Sequence, residues 1–141
     1  MKNRLLIIAL LLSSSFSYGG PSQTIAFRHF LYDFFQDPEF QINHVANPYT
    51  YTTTSGDEVQ SQLVSTPKNL DNWKHLEGPE HYRCNKNCYD LMIYDNFDKK
   101  HKESGERVLA FEGVENGIYE MLYFKLTGSE WFLVKYESFS N

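Results

Sequence analysis

Four carboxylates stand where acid–base chemistry would want one: Asp33, Asp90, Glu112 and Glu120. Glu120 is the most pointed. It interrupts an apolar series, Ile118, Leu122, Phe124 and Leu126, that shares one parity of a strand-like stretch. A carboxylate in a dry pocket has a displaced pKa, and general acid–base catalysis uses that displacement. A buried carboxylate is costly without a partner, so a strand end bulging into water after Asn116-Gly117 is the favoured reading of Glu120. No Gly-x-Ser-x-Gly elbow and no glycine-rich phosphate loop occurs. The sequence therefore names no catalytic residue, no cofactor-binding residue and no cofactor. Glu120 and Asp33 carry the enzyme alternative, in which a pocket carboxylate acts on a small molecule.

Cys84 and Cys88 are the only cysteines. Asn85-Lys86-Asn87 between them suits a tight turn, and i, i+4 spacing on a helix would also bring the thiols close. In an exported chain this reads as a structural disulfide. By the chain-entropy model so short a loop contributes only ~2 kcal/mol. The spacing is not Cys-x-x-Cys, which argues against a redox pair. His29, His44, His75, His81 and His101 form no metal-binding pair on one helical face. His75 and His81 bracket Gly78-Pro79, near Glu77 and Glu80, and read as surface residues; no metal site is expected.

Aromatic side chains are the remaining recognition chemistry. Trp73, Tyr82, Tyr94, Tyr119, Tyr123 and Tyr136 offer an aromatic surface. The candidate ligand or partner contacts are Trp73, Tyr82, Tyr94, Glu120, Tyr123 and Trp131. Ten Tyr, 11 Phe and two Trp make an aromatic share of 16%, however, and rings that large mostly fill a small core.

The elements that must position these residues are legible in the periodicity. Phe27, Phe30, Leu31 and Phe34 fall at i, i+3, i+4 and i+7, which predicts a helix over 22–36 with Arg28, His29, Tyr32 and Asp33 facing solvent. Asp37-Pro38 caps and starts a second helix, with Phe40, Ile42 and Val45 packing beneath it and Asn47-Pro48 ending the segment. Tyr49 to Thr54 has strand propensity. Val59 to Ser65 can pair back on it across Ser55-Gly56-Asp57, 66–72 is irregular, and a short helix fits 70–76. Tyr89 to Tyr94 is a strand, and Asp95 to Glu106 an exposed loop. Three consecutive antiparallel strands then span 107–138, turning at Asn116-Gly117 and Gly128-Ser129. In the last of them Trp131, Leu133 and Lys135 alternate with Phe132, Val134 and Tyr136.

Lys2 and Arg4, the apolar run Leu5 to Leu12 and the small-residue pattern Ser17-Tyr18-Gly19 predict a bacterial signal peptide over 1–19, leaving one domain over 20–141. The run is shorter than the ~20 residues a membrane span needs, so no stable anchor is expected after cleavage. Losing Lys2 and Arg4 takes the formal net charge from −5 to −7. So acidic a surface disfavours nucleic acid and anionic membrane.

The Phe-rich first helix, Asp37-Pro38-Glu39-Phe40-Gln41, a mid-chain Trp73 and the block Tyr123 to Glu137 (with Gly128, Trp131 and Lys135) resemble an uncharacterised family of small secreted bacterial proteins. That family belongs with the NTF2-like, cystatin-like α+β folds; the chain is also similar to sequences described as acidic periplasmic proteins. The resemblance implies a curved antiparallel sheet wrapped around the N-terminal helix as a cone that binds a small molecule or a partner. Family members that are enzymes use a pocket Asp, Tyr or His, and no such set stands at matching positions here. The expected protein is a non-enzymatic periplasmic binding or interaction domain of unknown ligand. One version is an immunity or inhibitor protein for a basic toxin. The outer parity Tyr119, Met121 and Tyr123 is a candidate homodimer face.

Overall fold

A computed structural model of the protein describes residues 23–56, 61–78, 89–100, 104–114 and 117–140. The signal segment, Tyr82, His81, His101 and both cysteines, Cys84 and Cys88, lie outside them.

Helix α1 (Gln23–Gln36) places Phe27 and Phe34 fully inside, with Leu31 and Phe35 beside them, while Tyr32 on the opposite face is 69% exposed. Burial of each large apolar side chain stabilises the fold by roughly 1.5–3 kcal/mol. Asp37 stops α1 and starts α2 (Pro38–Asn43): its Oδ1 accepts the Glu39 and Phe40 N–H groups at 2.9 and 3.1 Å. Of the residues expected under α2, Val45 is buried and Phe40 packs on the core, but Ile42 is exposed.

Six strands follow: β1 (Val45–Ser55), β2 (Gln62–Lys68), β3 (Tyr89–Tyr94), β4 (Glu106–Gly113), β5 (Ile118–Thr127) and β6 (Glu130–Ser140). They form one sheet in the order β2-β1-β6-β5-β4-β3. Neighbours are antiparallel except β1 and β6, which run parallel. No hairpin joins those two, so nothing local dictates an antiparallel pairing. Gly117 and Gly128 both adopt φ of +65°, the left-handed conformation the two hairpin turns need.

Several expected boundaries move. β1 begins at Val45 and runs through Asn47-Pro48, because its start pairs beside Leu133 of β6. β2 lies three residues later than expected and includes Thr66 and Pro67. Proline is admissible there because β2 is an edge strand. The helix expected over 70–76 is one 3-10 turn, Leu70–Asn72. The 95–106 stretch is not simply an exposed loop. Asn96 is buried, with its amide donating to the Lys100 carbonyl at 2.8 Å, and Glu106 already belongs to β4.

The largest departure is a β-bulge. Tyr123 pairs with Lys135 but Phe124 pairs with Leu133, so β6 carries one extra residue, Val134. A bulge inverts the parity of everything beyond it. Trp131 and Leu133 face the helix as expected. Past Val134, Tyr136 joins that face and Lys135 leaves it, the reverse of simple alternation.

The interior between α1 and the sheet is filled. Phe34, Phe27 and Phe30 all approach Phe124, at 5.2, 5.3 and 5.6 Å between ring centroids in edge-on geometry. Trp131 closes on Phe27 at 4.9 Å. Arg107 is the most unexpected core residue. Its side chain is fully buried, Nη1 donates to the Glu106, Ser104 and Asp95 carbonyls at 2.6, 2.7 and 3.2 Å, and the guanidinium lies 5.3 Å from the Trp131 ring.

Candidate functional site

The filled interior stops short of the β1–β2–β6 side. Tyr49 and Tyr51 of β1 and Tyr136 of β6 leave an open cleft there of about 530 Å³, walled by Trp73 and Leu76. Strand alternation puts Tyr49 and Tyr51 on the helix-facing side, and the Val134 bulge brings Tyr136 opposite Tyr51. The Trp73 ring meets Tyr49 edge-on, 5.2 Å away at 90°. Tyr51 and Tyr136 are 5.6 Å apart, tilted by 52°. Asn69, Asp71, Asn72 and Lys74 stand exposed along the rim.

The 73–76 segment has no regular structure, so something else must hold Trp73. That residue is Gln41, fully buried on α2. Its Oε1 accepts the Leu76 N–H at 2.7 Å and the Trp73 indole N–H at 3.2 Å. Its Nε2 donates to the Phe34 and Leu76 carbonyls at 2.9 and 3.1 Å. The amide thus uses both donors and both acceptors, tying the cleft wall to the helices. Sequence reasoning missed Gln41; a polar residue between Phe40 and Ile42 was the only signal.

Glu120 does not bulge into water. It is half-buried in an unbroken ladder, paired with Phe111 and Ser138, on the same face as Tyr136. Burial, and then the Glu120 carboxylate beside it, holds the Tyr136 phenol protonated far above its ordinary value. Glu120 acts on the Tyr136 phenol but is not among the cleft-lining residues.

The other candidates do not converge with Trp73. Trp131 is core, 4% exposed. Tyr94 and Tyr123 lie on the opposite face of the sheet, where Phe97 folds over Tyr123 at 5.4 Å. The Tyr123 hydroxyl donates to Glu137 Oε2 at 2.6 Å, and its pKa is pushed up by burial first and by that carboxylate second. Met121 and Tyr123 are covered by the chain's own loop, so two of the three residues expected on an open dimer face are buried. Among the described residues no group of three His, Cys, Asp or Glu side chains could hold a metal, and no helix is long and apolar enough to cross a membrane.

Two further hollows flank α1. One, about 220 Å³, lies between Leu31, Tyr32 and Phe35 and the edge strand at Leu91 and Ile93. The other, about 250 Å³, is bounded by Phe30, Phe40, His44, Trp131, Asp33 and Glu130. His44 is fixed there: Nδ1 donates to the Phe40 carbonyl at 2.8 Å and the ring stacks on Phe40 at 3.9 Å. Asp33 is thus exposed beside this hollow and remote from the cleft.

Comparison with known proteins gives the fold a family. The family described as domain of unknown function DUF4348 matches residues 8–138, and the chain belongs to it. The crystal structure of an NTF2-like protein from Bacteroides fragilis superposes with a TM-score of 0.56 at 22% identity. The match covers 82% of this chain and 47% of that one, so the chain corresponds to about half of that protein. The fold is NTF2-like, a helix on a curved, mostly antiparallel sheet, as the sequence led us to expect. No curated protein matches the sequence.

Proposed function

From membership in a family of unknown function with an NTF2-like fold, we propose that this protein is a non-enzymatic binding domain, exported to the periplasm, whose ligand seats in the Tyr49–Trp73–Tyr136 cleft. The carrying observation is the cleft itself. Four partly exposed aromatic residues line it, beside a core that phenylalanines fill beneath α1. An open hollow of several hundred Å³ with an apolar floor and a few polar groups has the form of a binding site. Export is supported by the basic residues Lys2 and Arg4 followed by Leu5 to Leu12.

The position of Glu120 favours binding over catalysis. A general base must reach the substrate, and this carboxylate is not among the residues that line the cleft. Glu120→Gln is therefore expected to leave ligand affinity unchanged. A ligand-observed NMR screen of small polar and aromatic fragments against the mature chain tests the reading. Hits should compete with one another and disappear in Trp73→Ala and Tyr49→Ala. Hits that persist in both variants and vanish in Leu91→Ser would move the site to the α1–β3 groove, where a protein partner is the better fit.

A further inference from the structure

Resting on that cleft as the binding site, we infer that its ligand is a carbohydrate, an oligosaccharide or a stretch of polysaccharide. Three features of the cleft point the same way.

The first is ring geometry. Rings hold a flat heteroaromatic ligand offset-stacked or edge-on, and the arrangement that would single such a ligand out is a parallel slot with a ring on either side. Neither pair in the cleft offers one: Tyr49 and Trp73 form a right-angled corner and Tyr51 and Tyr136 a 52° wedge. A pyranose is a puckered chair with C–H groups on its faces and hydroxyls around its edge. A corner of two rings can take a C–H face on one ring and an edge on the other.

The second is the rim. Each sugar hydroxyl is one donor and an acceptor with two lone pairs, so it is satisfied by groups of mixed type. The rim supplies two amides (Asn69, Asn72), a carboxylate (Asp71) and two ammonium groups (Lys68, Lys74) in one short segment. A lipid would meet too much polarity here.

The third is shape. The cleft is open to solvent and has room for more than one sugar ring. Gln41 fixes the Trp73 wall in advance through four hydrogen bonds. A pre-ordered platform costs little conformational entropy on binding, which matters for ligands as strongly hydrated as sugars.

Affinity electrophoresis tests this directly. The mature chain is run through native gels containing glycogen, xylan, galactomannan, laminarin or polygalacturonate. At least one polysaccharide is expected to retard it. Trp73→Ala should weaken the retardation at least ~10-fold, equivalent to ~1.4 kcal/mol, and Tyr32→Ala, on the far face of α1, should leave it unchanged. Asn72→Ala, at an exposed rim position, should weaken it several-fold and keeps the test open if Trp73→Ala fails to fold. No retardation by any polysaccharide, or retardation indifferent to Asn72→Ala and Trp73→Ala, overturns the carbohydrate assignment. If planar fragments still bind at Trp73 in the NMR screen, the cleft reading survives that failure; if nothing binds there, both fall.

Discussion

At the scale of single residues, the molecule depends on buried polar side chains that draw their partners largely from the backbone. Gln41 is the clearest case, one side-chain amide doing for the 73–76 segment what a strand ladder does elsewhere. Gln41→Leu would keep the volume and strand two donors and two carbonyls. The expected loss is about 3 kcal/mol in chemical denaturation, together with a red-shifted Trp73 emission; an unchanged midpoint would contradict the role. Arg107 works by the same logic at the far end of the core, with three carbonyls and the Trp131 ring around its guanidinium. Neither residue was legible beforehand. A buried Gln or Arg looks like a surface residue in sequence, because its partners are backbone groups that no residue type announces. Cleft residues were legible only in part. Trp73 was picked out for its ring, whereas Tyr49 and Tyr51 read simply as strand formers.

At the scale of elements, the apolar pattern specified α1, β3, β4 and β5 closely, since each keeps one unbroken period against one core. It failed where the period breaks. Val134 is the instructive position: nothing in Trp131 to Tyr136 marks an extra residue, yet the bulge there decides that Tyr136 and not Lys135 enters the cleft. Deleting Val134 would remove the extra residue and leave Leu133, Lys135 and Tyr136 opposite Phe124, Tyr123 and Leu122, so each side chain keeps its face. Tm is therefore expected to stay within a few degrees of the parent, a range that ~1 kcal/mol covers in a domain of this size. A fall of more than ~10 °C, with altered tryptophan fluorescence, would contradict the assignment of Val134 as the surplus residue. The parallel β1–β6 pairing was likewise invisible, since it joins the first and last strands and leaves no local turn signal.

For the whole molecule, burial of phenols links folding to alkaline pH. Tyr123 and Tyr136 are both raised, chiefly by desolvation and then by the neighbouring Glu137 and Glu120. Folding favours their neutral forms, so the stabilisation is fully present below the ordinary phenol value of about 10. It is lost as pH rises through the folded-state values. Ultraviolet titration should show phenolate forming in at least two steps, the later one coinciding with unfolding. A single step for all the tyrosines near the ordinary value would oppose this. Export carries its own check: intact mass of the secreted chain should be two hydrogens short of the reduced formula, with Cys84 joined to Cys88, and two alkylatable thiols would refute that bond.

The most direct measurement uses the only two tryptophans. Their indole N–H resonances in a ¹⁵N-labelled sample report on the cleft and on the sealed core separately. Titrating the polysaccharide that gives the strongest retardation should shift the Trp73 signal in a saturable way and leave Trp131 in place. A stationary Trp73 signal, while the protein demonstrably binds, would contradict the claim that this cleft is where the protein works.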